Sequence, residues 1–447
     1  MSGHAEQRDP LEIDDYEPNG YIALTDESRW PGLSAEGAAR LAELHSGPLS
    51  PPWNHRTGHR LDNAGIERIR HPLPTDGWLE EHLAVARALP AYRGYPLPLD
   101  RLEQFPLITR EDLVADIAGF VPLGSDLRRM LHGTSSGATG HALQIPDDVE
   151  DVARTFWLLV SLVESRGIQW SPDPDRMALA YVVHQRQAYT YASVVPGFGD
   201  AGMARVNLNH AEWPERDEFL LANDPQVFSG SPVSLAVLLE PQFVGRLHPL
   251  ALVSGATHLS ATLRADLEAA YDCPVIDLYG LHETRPIGVS LDGGPFVVLD
   301  RRVHLECLDP AGEPVAAGQR GELVVTAGEN PLLPLVRYRT GDFGRLVDVD
   351  GRVAIADLEG REDVLFAAPD GSEVPTVDLT QQLQAAGARG WTVVQQPDGT
   401  VSATIVGGDA ARVRERFSLM LGPTTVTQVP TLAELGEGKP RRYKRVR

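Results

Sequence analysis

A glycine- and hydroxyl-rich segment, HGTSSGATGHALQ at 132–144, is the first place where residue types and spacing suggest chemistry. Nine positions (132–140) hold three glycines and four serine or threonine residues, between an apolar strand-like run and a helical run. Glycine leaves backbone N–H groups unobstructed and the hydroxyls add donors, which suits phosphate oxygens. The spacing and the Gly-Lys-Ser/Thr ending of a Walker loop are absent. The segment therefore predicts a phosphate-binding loop, with a flexible Ser/Gly surface loop as the alternative.

A second segment, IDLYGLHETRPIG at 276–288, leads from a predicted buried strand into polar residues. Open α/β sheets bind ligands beyond the carboxyl ends of their strands. There Tyr279 could stack on a purine base, Gly280 would permit close approach, and Glu283 could hold Mg²⁺ near phosphates. The alternatives are core packing for Tyr279 and a solvated carboxylate for Glu283.

Two further segments combine aspartate with arginine. In LVRYRTGDFGRL at 335–346, Asp342 follows a glycine turn, and its carboxylate could accept from both vicinal hydroxyls of a ribose. A salt-bridged surface hairpin would have the same pattern. In EGREDVLF at 359–366, Arg361 and Asp363 could contact a nucleotide or act at a pivot between domains, unless they form an ion pair in a plain linker.

The elements that must position these residues can be inferred from the rest of the pattern. Residues 1 to about 20 are expected to be a loose arm, followed to about 130 by helical segments and proline-rich loops, with Thr109 as a helix N-cap. From 131 to 290, strands alternate with helices, one of them capped by Ser260, which predicts a mostly parallel α/β sheet. Short alternating strands at 300–357 predict a smaller antiparallel sheet or barrel-like unit.

The chain is too long for one core, and a domain boundary is predicted near residue 359. The large domain would cover 1–358. The small module at 359–447 contains a predicted hairpin and an amphipathic helix that ends at Gly422.

Composition excludes several classes of protein. A net charge of −22 argues against binding nucleic acid or an anionic membrane. The sequence has no apolar run long enough to span a bilayer, and its polar N-terminus lacks a signal-peptide pattern, so a cytoplasmic location is expected. Two cysteines, Cys273 and Cys307, cannot form a disulfide framework or a four-cysteine zinc site.

The order of the motifs is similar to that of the adenylate-forming superfamily of acyl-CoA synthetases, adenylation domains and luciferases. Within it, the chain most resembles the phenylacetate–CoA ligase type. The order is the Ser/Thr/Gly loop, Tyr-Gly-x-x-Glu, Tyr-Arg-Thr-Gly-Asp, Gly-Arg-x-Asp and a C-terminal Gly-Lys, over about three quarters of the chain. The resemblance implies an α/β fold with parallel α/β subdomains and a small antiparallel β subdomain in the N-terminal domain, and a small mobile α+β C-terminal domain.

The resemblance also implies a role for each matching position. The residues implied to wrap the β- and γ-phosphates of ATP are Thr134, Ser135, Ser136, Gly137, Thr139 and Gly140. Those implied to line the rest of the nucleotide site are Ser254, Gly255, Ala256, Asp277, Tyr279, Gly280, Asp342 and Arg361. Among these, Tyr279 would stack on adenine and Asp342 would grip the ribose. Glu283 would bind Mg²⁺, Asp363 would act at the hinge, and Lys439 would bridge the carboxylate and the α-phosphate.

The implied reaction joins a carboxylate to ATP, giving an acyl-adenylate and pyrophosphate, and a thiol or amine then attacks the mixed anhydride. ATP, Mg²⁺ and CoA are the expected cofactor and co-substrates. The loop lacks the family's lysine because His141 follows Gly140, His282 stands where Thr or Ser is usual, and Val364 replaces a second Asp. An amine or carrier-protein thiol as acceptor and a homologue without turnover therefore remain alternatives.

Lysine usage fits the role of Lys439. Of 40 basic residues, all but Lys439 and Lys444 are arginine, a bias that looks like codon usage in a GC-rich genome. A compact ammonium can enter between two oxyanions, where a planar guanidinium has the wrong shape. That explains Lys439 but not Lys444, and a plain basic tail is the alternative.

The acid substrate is predicted to lie against the segment at 181–202. The residues that could form an aromatic-lined slot for a flat acid are His184, Tyr189, Tyr191 and Phe198. Ordinary core or surface positions are equally compatible with these four side chains. An aromatic or heteroaromatic acid is expected from the subgroup, and the oligomeric state is left open, with a homodimer among the options.

Overall fold

A computed structural model describes residues 25–52, 58–95, 99–135, 143–184, 189–210, 212–360, 364–374, 376–436 and 442–446. The helices are α1 (Asp26–Arg29), α2 (Ala35–Ser46), α3 (Asn63–Ile69), α4 (Trp78–Arg87), α5 (Arg110–Asp116), α6 (Val149–Glu164), α7 (Arg216–Asn223), α8 (Pro232–Val237), α9 (Ala261–Tyr271), α10 (Thr376–Ala385) and α11 (Ala410–Leu421). Short 3-10 helices cover Pro90–Tyr92, Leu102–Gln104, Ile117–Phe120, Leu127–Arg129 and Leu432–Leu435.

The strands in chain order are β1 (Met130–Ser135), β2 (Leu143–Asp148), β3 (Leu179–Val183), β4 (Tyr191–Val194), β5 (Gly202–Asn207), β6 (Val227–Gly230), β7 (Ala251–Ser254), β8 (Val275–Leu281), β9 (Arg285–Ser290), β10 (Phe296–Val298), β11 (Val303–Leu308), β12 (Arg320–Ala327), β13 (Leu335–Val349), β14 (Arg352–Glu359), β15 (Phe366–Ala367), β16 (Glu373–Val374), β17 (Ala388–Gln395), β18 (Val401–Gly407), β19 (Thr424–Val429) and β20 (Tyr443–Arg445).

Among the described residues, twelve strands form one sheet in the order β11-β12-β13-β14-β10-β9-β8-β7-β6-β3-β5-β4. Neighbours from β8 through β7, β6 and β3 to β5 are parallel. From β8 to β11, neighbouring strands are antiparallel, so the predicted antiparallel strands extend the same sheet. Strand β7 is buried along its whole length, as expected for a strand covered on both faces, whereas β3 and β5 also carry half-buried residues on one face.

Two predicted helix starts are confirmed. Thr109 caps α5 through a capping box, in which its hydroxyl accepts from the N–H of Asp112 and the Asp112 carboxylate accepts from the N–H of Thr109. Ser260 caps α9 by accepting from the N–H of Leu263 at 3.2 Å. Each cap satisfies a backbone donor that the first helical turn leaves without a partner.

The C-terminal module has a sheet of its own, in the order β19-β18-β17-β20, and a separate hydrophobic cluster that includes Trp391 and Phe417. The module begins where β14 ends at Glu359, close to the boundary that we propose. It contacts the large sheet region through Ser260, whose hydroxyl donates to the carbonyl of Arg389 at 2.8 Å, and through an Arg389–Asp266 ion pair at 2.6 Å. Among the described residues, every helix is too short or too polar to cross a bilayer.

Candidate functional site

The end of β7 brings Ser254 next to Asp277, the third residue of β8. These two residues are register partners on neighbouring parallel strands, and both are buried. The chain then turns at Gly255, which donates to the carbonyl of Gly230 at 3.1 Å, and at Ala256, which has a left-handed φ of 69°. Burial raises the pKa of Asp277 to about 6, opposed by the Ser254 hydroxyl and by Arg264. The strand end predicted to line the adenine site is therefore polar and buried.

Asp277 should make the protein less stable as pH rises. Its native pKa of about 6 lies above the ordinary 3.8, so the native state binds more protons than the unfolded chain between these values, and stability falls with rising pH across that window. At pH 8, Asp277→Asn should be about 2–3 kcal/mol more stable than wild type, with little difference near pH 4. Denaturant unfolding at both pH values measures this. The exposed Asp272→Asn is the matched control, and an Asp277→Asn curve parallel to wild type would contradict the prediction.

Tyr279 and Asp342 are 63 residues apart and meet in the structure. The Tyr279 hydroxyl donates to Asp342 Oδ2 at 3.0 Å, and the Asp342 N–H donates to Thr340 Oγ1 at 3.0 Å. Their strands, β8 and β13, lie four places apart in the sheet, which in a flat sheet would separate them by about 19 Å. The sheet must therefore curl, helped by irregular pairing along β13 and by a positive φ at Gly341. The curl joins the predicted adenine and ribose contacts into one site.

Glu283, four residues after Tyr279, is held by two contacts. Tyr338 donates its hydroxyl to Glu283 Oε1 at 2.8 Å, and Arg110 approaches the same oxygen at 3.6 Å. The carboxylate is 3% exposed. Among the described residues, no group of three or more His, Cys, Asp or Glu side chains is arranged to hold a metal ion by itself. A single carboxylate still fits Mg²⁺, which keeps several waters and takes further oxygens from substrate phosphates.

Strands β1 and β2 form an antiparallel hairpin that flanks the predicted phosphate loop. Thr134 and Ser135 lie on β1, whereas Ser136, Gly137, Thr139 and Gly140 lie outside the described residues. The base of the hairpin is fixed by Arg129, which pairs with Asp148 at 2.9 Å and with Glu150 at 3.1 Å. Asp148 also caps α6. The two strands that flank the predicted phosphate loop are thus tied to the start of α6.

A polar cluster beside this hairpin, buried at Asp147 and Asp151, was not foreseen from the sequence. His282 Nε2 lies 3.0 Å from Asp147 Oδ2, and Arg285 donates to Asp147 at 2.5 Å and to Asp151 at 2.7 Å. A side chain at Gly133 would overlap His282 and Asp147, so glycine is required there for packing. The sequence signal was the acidic run PDDVED at 146–151, which spans the end of β2 and the start of α6. His282, which departs from the usual family residue, therefore joins β8 to the phosphate-loop hairpin.

The four predicted acid-pocket residues fall into different surroundings. Tyr189 and Tyr191 stack, with ring centroids 6.1 Å apart and an interplanar angle of 16°. His184 follows β3 and is half-buried, and burial lowers its pKa. Phe198 is 4% exposed and packs in the core against Phe156, at 5.0 Å between ring centroids. The tyrosine pair is thus the part of the predicted slot that the fold brings together, and the acid-binding role of all four remains a prediction.

Three predicted site residues, Arg361, Asp363 and Lys439, lie outside the described residues. Gly360, the last described residue before Arg361, lies next to the predicted ribose ligand, because a Cβ on it would be 3.5 Å from Asp342 Oδ1. Tyr443, on β20, anchors the end of the chain by accepting from the indole N–H of Trp391 at 2.9 Å.

Comparison with known proteins identifies the family. A phenylacetate–coenzyme A ligase of Pseudomonas putida is 33% identical over 348 residues, which cover 71% of this chain and 76% of that enzyme. The phenylacetate–coenzyme A ligase of Escherichia coli K12 is 26% identical, and the chain spans 62% of its length, less than two thirds. No protein-family model matches the chain.

The fold is also found among solved structures. A 2-hydroxyisobutyryl-CoA ligase in the postadenylation state, in complex with R3-HIB-AMP, matches with a TM-score of 0.62 and 17% identity, over 85% of this chain and 92% of that one. This likeness confirms the predicted α/β fold class. Together with the similarity to the Pseudomonas putida enzyme, it shows that the chain belongs to the phenylacetate–CoA ligase family of adenylate-forming enzymes.

Proposed function

We propose that the protein activates a carboxylic acid with ATP, through an acyl-adenylate, and transfers the acyl group to CoA. The observation that carries the proposal is the contact of Tyr279, near the carboxyl end of β8, with Asp342 of β13. An aromatic ring that could stack on adenine then contacts a carboxylate that could bind the ribose, and Glu283, the proposed metal ligand, follows Tyr279 by four residues. The names of the relatives, phenylacetate–coenzyme A ligases, support an acid and CoA as substrates.

Each residue would have a distinct task in the first half-reaction. Tyr279 stacks on the adenine, and Asp342 accepts the ribose hydroxyls. The N–H groups and hydroxyls of the loop at 133–140 hold the β- and γ-phosphates. The acid carboxylate then attacks the α-phosphate in line, and pyrophosphate leaves. Lys439 neutralises the negative charge that builds on the α-phosphate oxygens and on the attacking carboxylate.

Magnesium would be held by Glu283. Both described contacts of Glu283 fall on Oε1, so the metal would take Oε2. When bound, Mg²⁺ would offset the negative charge of the phosphates. Tyr338 and Arg110 would fix the orientation of the Glu283 carboxylate.

Acid-dependent exchange of labelled pyrophosphate into ATP tests the first half-reaction. The purified protein with Mg²⁺ should support exchange only when a suitable acid is added from a panel of aromatic, heteroaromatic and aliphatic acids. Adding CoA should then give the acyl thioester and AMP in equal amounts. Absence of exchange with every acid would contradict the proposal and favour a homologue without turnover. Exchange followed by product formation with amines but not with CoA would identify an amide synthetase instead.

A further inference from the structure

One face of the sheet is only partly covered at the ends of β4, β5, β3 and β6. Tyr191, Arg205, Tyr181 and Ser229 are successive register partners across these strands, and all four are half-buried. Because register partners share a face, their side chains point to the same side of the sheet. Neighbouring residues in each strand point the other way into the core, as the fully buried Ala204 does.

This open face is next to the nucleotide site. Leu179 of β3 belongs to the same buried cluster as Leu159 of α6, and Tyr181, two residues further along β3, packs against this cluster but is only half-buried. The carboxyl ends are where ligands of such sheets bind. Tyr181 lies near Arg285, whose positive charge opposes the burial-driven rise of the tyrosine pKa, and Arg285 also contacts Asp147 beside the phosphate-loop hairpin. A ligand on this face would therefore adjoin the phosphates.

Arg205 is the cation on this face, and its position is fixed by Tyr189. The guanidinium carbon of Arg205 lies 3.9 Å from the centroid of the Tyr189 ring. A guanidinium over a ring face directs its N–H donors away from that ring. Arg205 Nη1 is shut off from solvent and has no hydrogen-bond acceptor among the described residues. A buried N–H donor in that state favours an acceptor supplied by a ligand.

The charge of the rest of the protein makes a local cation important. At a net charge of −22, the chain repels anions in general, and a doubly charged acid is repelled more than a singly charged one. An arginine on this partly covered face, which also carries Tyr191 of the predicted acid slot, would reverse that preference locally. A guanidinium matches a carboxylate with two parallel hydrogen bonds.

We propose that Arg205, held by Tyr189, binds a second anionic group of the acid, so that the substrates are aromatic acids with a second carboxylate or comparable oxyanion. The inference rests on the proposed acid activation, which defines the carboxylate that reacts. The remaining anionic group, at the far end of the substrate, receives the Arg205 donors. Arg205 is then the residue that selects dianionic over monoanionic acids.

The test uses matched acids that differ by one carboxylate: benzoate with its 3- and 4-carboxy derivatives, and phenylacetate with its 4-carboxy derivative. Binding of each acid to the full chain is measured by calorimetry, and pyrophosphate exchange gives kcat and KM. Wild type should prefer one of the diacids over its matching monoacid. Arg205→Met should raise the dissociation constant and KM of that diacid by about 10- to 100-fold, the effect of losing charged hydrogen bonds, and leave those of the monoacid unchanged.

Two further variants separate recognition from packing. Arg205→Lys keeps the charge without the planar fork and should recover part of the diacid preference. Arg70→Met is the matched control, since Arg70 also lies over an aromatic ring, that of Trp157 at 5.4 Å, and should leave the preference unchanged.

The outcomes distinguish this inference from the proposed function. Equal losses for diacid and monoacid in Arg205→Met, or the absence of any diacid preference in binding, would overturn the subsite even if monoacids are adenylated. Conversely, diacid binding that depends on Arg205, without exchange for any acid, would support the subsite and contradict the proposed activation.

Discussion

Replacing Asp342 with alanine should lower kcat/KM for ATP by about 10²-fold or more. Two charged hydrogen bonds to the ribose would be lost, each worth about 1.5–3 kcal/mol. Most of the change should appear as a higher KM for ATP, because ribose contacts are made before and during the reaction alike. Pyrophosphate exchange at varied ATP concentration measures the effect.

Controls for Asp342→Ala must separate nucleotide binding from folding, since Asp342 is buried and bonded to Tyr279. Asp348→Ala, an exposed aspartate on the same strand, should leave KM for ATP unchanged. Tyr279→Phe keeps the stacking ring and deletes the hydroxyl contact, so it should cost about 10-fold or less. An Asp342→Ala variant with wild-type unfolding behaviour and wild-type KM would exclude Asp342 as the ribose ligand.

Replacing Lys439 with alanine should reduce the rate of adenylation by about 10²- to 10³-fold, the usual cost of removing one donor that stabilises developing negative charge. Lys439→Arg should be almost as slow, because a planar guanidinium cannot take the place of a compact ammonium between two oxyanions. The measurement is kcat for acid-dependent pyrophosphate exchange at saturating ATP and acid.

Lys444 supplies the matched control for Lys439. It lies exposed on β20, in register with Val394 of β17, and Lys444→Arg should be close to neutral. If Lys439→Ala leaves exchange at the wild-type rate, the adenylation step proposed here is wrong in assigning charge stabilisation to this residue.

The local part of the structure could be predicted from the sequence. Thr109 and Ser260 were recognised as helix caps because a cap depends on residues within one turn. The strands before Ser254 and Tyr279 were recognised from their apolar runs. For the same reason Gly422 was expected at the end of α11, where it has a positive φ of 87°.

The long-range part could not be predicted from spacing alone. The contact of Tyr279 with Asp342 requires the sheet to curl through four strand intervals, and no local pattern encodes that curl. The link between His282 and Asp147 spans 135 residues in the same way. Arg205 could have been noticed as one charged residue in the otherwise mainly apolar strand GMARVN. Its partner Tyr189 precedes the neighbouring strand β4, so the contact depends on how β4 pairs with β5 and not on local sequence.

The continuous sheet has a consequence for altering substrate range. Asp342 on β13 and Arg205 on β5 belong to one hydrogen-bonded sheet, so the distance between the proposed ribose ligand and the proposed acid ligand is set by backbone that side-chain exchange leaves in place. Strand β4 is the last strand of the sheet and is antiparallel to β5. His45 of α2 contacts the carbonyl of Ala192 on β4 at 2.9 Å. A library that varies only the half-buried positions of β4 and β5 should therefore change which acids bind at the proposed Arg205 subsite. It should leave the proposed nucleotide contacts of Tyr279 and Asp342 in place.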